Sequence, residues 1–324
     1  MRLSPLMSLT SDCGTSPSWL MLDGKNDILY CLDEGVDLPK GALTSFRTNS
    51  NGSLSKVQQL QTMAGPVSSV FYSPTLSPGR KFLAVAHYAG SAVIKYSHDP
   101  ISGHFNHSQI FTFTLPAPGP IPSRQDTAHP HEVLTDPTGN FLLVPDLGAD
   151  LVGIFHINPT SGQLEAQQTL PVAPASGPRH AVFWVSEQTN SIRLPSSRFY
   201  LVTELDNYLR GISFSQFYEE NSYQPESGYQ NFEGSIPPAG SKAAEIAISP
   251  GNDQLVISKR NDSTFAYGSF PRQFEFSPDQ EMVAIALQNS HSASVVHWDK
   301  KNAVGPLLAE APLDGEITAV VWDS

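Results

Sequence analysis

The chain is poor in the residues that several classes of protein depend on. Of 324 residues only two are cysteine, Cys13 and Cys31, too few for a disulfide scaffold or a zinc site, although the two could pair in an oxidising compartment. Charge is sparse: 19 Lys and Arg stand against 31 Asp and Glu, for a net charge of -12. A surface that tracks phosphates carries an excess of Lys and Arg or a dense basic run, and neither exists, so no nucleic-acid partner is expected. No stretch approaches the roughly 18 uninterrupted apolar residues of a membrane-spanning helix, so no membrane partner is expected. The opening MRLSPLMSLTSDCGTSP has too short and too polar a middle for a signal peptide. These absences leave a soluble, cytoplasmic protein as the expectation, or a secreted one if the true N-terminus is missing. Oligomeric state stays open.

What the chain has in quantity is turn punctuation, with 27 Pro and 23 Gly among 40% hydrophobic residues, as many short strands require. Aligned segments reveal a template of apolar strand, Ser-Pro or Asp-Pro turn, apolar strand, Gly loop and third strand. HEVLTDPTGNFLLVPDLGADLVGIFHI (131 to 157) is its cleanest copy. Others are PSWLMLDGKNDILYCLDE, SSVFYSPTLSPGRKFLAVAHYAGSAVIKYS, a copy at 179 to 214 with an insertion in its first turn, AEIAISPGNDQLVISKRND and RQFEFSPDQEMVAIALQNSHSASVVHW. Most copies start roughly 45 to 65 residues apart, the period of propeller blades. The alternation in FLLVPD and VGIFHI suits strands, and DPTG, SPGN and SPDQ suit tight turns. The reading is one all-β propeller domain over 1–324, with 1–14 poorly defined.

Two irregularities interrupt this pattern. Between AEIAISP and RQFEFSP the spacing falls to about half a blade, with 262–271 as an abbreviated stretch where outer strands are missing. The last segment, EITAVVWDS, reads as a first strand that wants partners from the N-terminus, and MRLSPLMSL matches them poorly. One blade and the closing blade are therefore expected to be incomplete, through unusual substitutes or an abridged gene product.

The copies also carry His-Pro-His-Glu, VPDLGAD, SGPRHAVFW, FYLVTELDN, ISKRNDS and FPRQFEFSPD. Together, from about residue 12 to the end, these resemble the seven-bladed β-propeller lactonase family, which includes a bacterial 6-phosphogluconolactonase and the fungal 3-carboxy-cis,cis-muconate cyclase. The words look closer to the fungal cyclase-like branch. The resemblance implies a catalytic group of His131 in PHE, Arg179 in GPRH, Glu204 in TELDN and a second arginine. Arg260 in SKRND matches it best, with Arg272 in FPRQF close by.

Such a site would take a small anionic substrate, a sugar-phosphate lactone or a carboxymuconate. Guanidinium groups grip phosphate or carboxylate through paired hydrogen bonds, which makes Arg179 and Arg260 or Arg272 clamps. His131 is assigned acid–base duty, and Glu204 proton transfer or orientation. Neither reaction needs a metal or cofactor, and no His/Cys cluster has metal-ligand spacing. His129 and His180 are further substrate contacts. Arg179 and His180 are adjacent, so in a regular strand only one of them faces the channel. Asp146 and Asp150 read as holders of the PDLGAD turn. The competing readings are a non-catalytic binding scaffold, weakened because Trp298-Asp299 and Trp322-Asp323 lack an upstream Gly-His, and an inactive truncated family member.

Overall fold

The structure, a computed structural model, describes residues 12–186, 197–213, 224–230, 240–261, 267–301 and 303–323. Most of the poorly defined N-terminal segment (1–11), the turn insertion of the fourth copy (187–196) and part of the abbreviated stretch (262–266) lie outside the described residues.

Six antiparallel sheets follow one another along the described chain, at residues 17–63, 66–112, 134–171, 178–230, 242–260 and 271–312. We call them blades one to six. The third has five strands and the fifth only two, while the others are four-stranded meanders. The blade expected to be shortened between AEIAISP and RQFEFSP is thus the hairpin of Lys242–Ile248 and Leu255–Arg260 among the described residues. No described helix is long and apolar enough to cross a membrane.

Each blade is packed on both faces, and the two-residue period of a strand decides which neighbour a side chain meets. In Phe141–Asp146, Leu142 and Val144 enter the core shared with blade two, while Leu143 enters the core shared with blade four. Phe82, Ala84 and Ala86 likewise face blade three, and Leu83 and Val85 face blade one. The nearly continuous burial of the second strands in blades one, two and three follows from this sandwiching. The DPTG turn is closed by Asp136, whose carboxylate accepts N–H bonds from Thr138, Asn140 and Phe141 at 3.0, 3.0 and 2.7 Å. Gly139 supplies the positive φ of 70°.

Seven segments meet around one axial cavity of about 10 Å3, room for roughly one water. Trp19, Val67, Arg179, Glu245 and Arg272 come from five of the blades, His131 from the residues leading into blade three, and Thr318 from the C-terminal segment. That segment was expected to be a strand, but it forms no ladder. Instead Thr318 Oγ1 donates to the Pro17 carbonyl at 2.7 Å, and Val320 N and Trp322 N donate to side-chain oxygens of Gln273 and Glu275 at 2.8 and 3.0 Å. Its alternate N–H groups are met by alternate side chains of blade six, so it wedges between blades six and one without strand geometry.

A disulfide joins Cys13 to Cys31, which weighs against the cytoplasmic expectation, since such bonds are rare in reducing compartments. It ties the segment before blade one to that blade's second strand, beside the Thr318 wedge. Closing a loop of this separation, 18 residues, is worth about 3 kcal/mol. Reduction, or Cys13→Ser, should therefore lower the thermal unfolding midpoint; calorimetry with and without reductant reads this, and an unchanged midpoint would count against the bond.

Candidate active site

The blades repeat a device at the start of their inner strands. Pro17, Pro66, Pro130, Pro178 and Pro271 stand opposite Asp33, His87, Asp146, Thr203 and Leu287. The register slips directly after the proline in blades one, two, four and six, as a residue without an N–H invites. Irregular pairing lets neighbouring side chains share a face. Arg179 and His180 accordingly both line the axial cavity, correcting the expectation that alternation separates them.

A second repeat position lies just beyond the second strand. The N–H groups of Glu34, Tyr88, Leu147, Glu204 and Gln288 donate to the carbonyls of Ser16, Gly65, His129, Gly177 and Phe270. These five residues therefore occupy equivalent places at one end of the axis, and Glu204 is the blade-four member.

The Glu204 side chain is 0% exposed, and cations from different parts of the chain converge on it. Oε2 meets Arg179 Nε at 3.0 Å and the Arg260 guanidinium, while Oε1 meets Arg124 Nη2 at 2.6 Å and Lys242 Nζ at 3.8 Å. Burial alone would raise its pKa. The guanidinium groups of Arg260, then Arg179 and Arg124, override this and hold the carboxyl down at about 2. Four of the chain's 19 Lys and Arg surround one carboxylate, leaving local positive excess in an acidic protein.

The geometry sorts the expected residues. His131, Arg179, Glu204 and Arg260 do come together: His131 lines the axial cavity beside Arg179, and its ring meets Tyr88 and His180 edge-on at 5.6 and 5.1 Å. Burial first, then the charges of Arg179, His180 and Arg260, push the His131 pKa well below its ordinary 6.5. Its Nδ1 is buried without a partner among the described residues. Arg179 gives Nη1 to the Ala244 carbonyl at 2.5 Å as well as Nε to Glu204, so it ties blade four to blade five. Arg260 keeps its Nε without a described hydrogen-bond partner. Arg272 pairs with Glu34 at 2.7 Å, which separates the two candidates for the second arginine.

The other two histidines have protein partners. His129 is stacked on Tyr88 at 4.2 Å, with Nδ1 on the Tyr88 carbonyl and Nε2 on Asp126, both at 2.9 Å. Both ring nitrogens are thereby occupied, so His129 holds the loop. His180 Nδ1 bonds Glu245 Oε1 at 2.9 Å and its Nε2 has no described partner. Asp146 accepts the N–H groups of His129 and Ala149, and Asp150 those of Ala175 and Gly177; both carboxylates hold backbone.

The sequence reading missed Arg124, Lys242, Glu132 and Glu245. Glu132 Oε2 accepts the Ala181 N–H at 2.7 Å, and burial, then Glu245, raise its pKa well above the ordinary value. The proline register could have pointed to two of these, because Glu132 and His180 both stand two residues after a proline and Glu245 lies three after Lys242, the blade-five counterpart opposite Arg260. Arg124 lies outside the repeat and carried no such signal.

A ring of antiparallel blades with charged side chains gathered at one end of the axis defines a β-propeller with a buried axial ion cluster. The chain belongs to the 7-bladed β-propeller lactonase family, whose profile matches residues 2–267 and 262–322. The two matches overlap at 262–267, directly after the hairpin of blade five. A probable 6-phosphogluconolactonase of Arthroderma benhamiae is 30% identical over 254 residues, covering 78% of this chain and 59% of its own length. The chain thus aligns with about three fifths of that relative. A 6-phosphogluconolactonase of Formosa agariphila is 26% identical, covering 87% of this chain and 81% of its own. In fold, the periplasmic gluconolactonase of Pseudomonas aeruginosa matches 98% of this chain and 90% of its own with a TM-score of 0.76 at 24% identity.

Glu204→Gln should cost about 3–5 kcal/mol, because buried cations lose the anion that compensates them. The pKa of Glu204 falls from 4.5 to about 2 on folding. Its stabilisation is therefore complete above about 4.5 and is lost as pH falls towards 2. Acid titrations of stability should show this component in the wild type and lack it in Glu204→Gln; identical acid limbs would overturn the assignment.

Proposed function

We propose that the protein is a lactonase that opens a small anionic lactone by hydrolysis. The observation that carries this reading is the cationic ring on Glu204 beside an uncharged, partly unsatisfied imidazole, His131. The names of the relatives from Arthroderma and Formosa support a sugar-phosphate lactone over a carboxymuconate.

In this mechanism the neutral imidazole of His131 takes a proton from water, and the resulting hydroxide attacks the lactone carbonyl. Arg260, whose Nε has no described hydrogen-bond partner, donates to the oxyanion that forms. Collapse of the tetrahedral intermediate breaks the ring C–O bond, and the leaving alkoxide recovers the proton from His131. Glu204 moves no proton in this scheme, since a carboxyl held at about 2 stays ionised at neutral pH. It fixes the Arg179 and Arg260 guanidiniums, and Arg179 is a positioning residue. The disulfide supports an oxidising compartment for the protein.

The purified chain should hydrolyse 6-phosphogluconolactone, and His131→Ala should lower kcat by about 10²- to 10⁴-fold. The base form of His131 exists above its lowered pKa, so the acid limb of kcat/KM should lie below 6.5. Turnover of 3-carboxymuconate but no lactone, or a limb at or above 6.5, would overturn the scheme. Failure to turn over any substrate by a cooperatively folded chain would favour a binding scaffold or an inactive member.

A further inference from the structure

The long connection between blades two and three departs from the repeat. Residues 113–133 join the strands His104–Thr112 and Leu134–Thr135, where ordinary connections run about 4–6 residues. It begins with Pro116, Pro118, Pro120 and Pro122 on alternate positions, which restricts the backbone before folding. It is also seated firmly. Gln125, 0% exposed, donates to the Leu147 carbonyl at 3.0 Å and accepts the Ile121 N–H at 3.1 Å. The loop runs so close to blade three that a Cβ on Gly148 would meet the Thr127 carbonyl oxygen at 1.9 Å.

What this loop delivers is Arg124, and burial divides the four cations around Glu204 into two pairs. Arg179 and Arg260, on Oε2, are 3% and 13% exposed; Arg124 and Lys242, on Oε1, are 27% and 37% exposed. The buried pair holds the carboxylate. The outer pair faces water, carries two charges against their share of one carboxylate, and reaches the same oxygen at 2.6 and 3.8 Å, so one tetrahedral anion can touch both. The Tyr88 hydroxyl lies against Arg124 as a further polar contact. Asp126 on the same loop bonds His129 at 2.9 Å and forms no ion pair with Arg124 or Lys242 among the described residues.

We infer that Arg124 and Lys242 form an outer subsite for the phosphate monoester of the substrate, and that this subsite makes the enzyme prefer a phosphorylated sugar lactone to its uncharged counterpart. The inference rests on the lactonase reading and assigns its specificity to Arg124, which lies outside the blade repeat, together with Lys242 at the start of blade five. A planar fork and a point charge together suit a dianionic phosphate, which offers three acceptor oxygens and two charges.

The test compares 6-phosphogluconolactone with gluconolactone in the wild type, Arg124→Gln, Arg124→Lys and Lys242→Met. Calorimetric binding of the two products, 6-phosphogluconate and gluconate, runs in parallel. Each charge-removing variant should reduce the ratio of kcat/KM for the phosphorylated over the unphosphorylated lactone about 10- to 100-fold. The affinity for 6-phosphogluconate should fall in step, with partial rescue by Arg124→Lys. A ratio that does not move, or equal losses on both lactones, overturns the subsite. If no lactone is turned over yet 6-phosphogluconate binds in an Arg124-dependent way, the subsite stands and the lactonase reading falls.

Discussion

An ionised carboxylate held away from water needs compensating charge or hydrogen bonds, and at Glu204 cations supply them. Its partners come from blade four (Arg179), blade five (Lys242 and Arg260) and the connection after blade two (Arg124). No single blade could supply them. The ion cluster therefore depends on the blades being held side by side, and the cores between successive sheets provide that hold. Glu204 in turn joins elements that share no strand pairing. Chemistry and architecture meet at this one group, and in the proposed mechanism its role is electrostatic while the proton work is assigned to His131.

The half-blade shows how local this dependence is. Among the described residues blade five consists of its inner hairpin alone, and that hairpin carries Lys242, Glu245 and Arg260. The axial cavity is still lined from seven directions because the C-terminal segment contributes Thr318 without being a strand. A propeller can shorten at its rim and keep the residues at its axis, since each inner strand is fixed by its two neighbours rather than by its own outer strands.

Much of the fold was legible in the sequence because strands and turns are local: a two-residue apolar period, Asp-Pro and Ser-Pro turns and a recurring blade length appear in the letters themselves. His131, Arg179 and Glu204 were legible for another reason, the resemblance of their motifs to a known family. Two features were misread from local rules. Arg179 and His180 share a face because the proline before them disturbs the register, and EITAVVWDS is strand-like in composition but finds side chains rather than a ladder to satisfy its N–H groups.

The sequence by itself determined the sheet content, the order of the blades and the incomplete fifth blade, because each follows from patterns spanning a few dozen consecutive residues. Tertiary structure alone decided that Arg260 rather than Arg272 meets Glu204, that Glu245 stands behind His180, that the cysteines pair, and that Arg124 reaches a carboxylate 80 residues further along the chain. Those outcomes depend on which segments curve back to a common axis. Coulomb attraction between groups far apart in sequence leaves no periodicity to read.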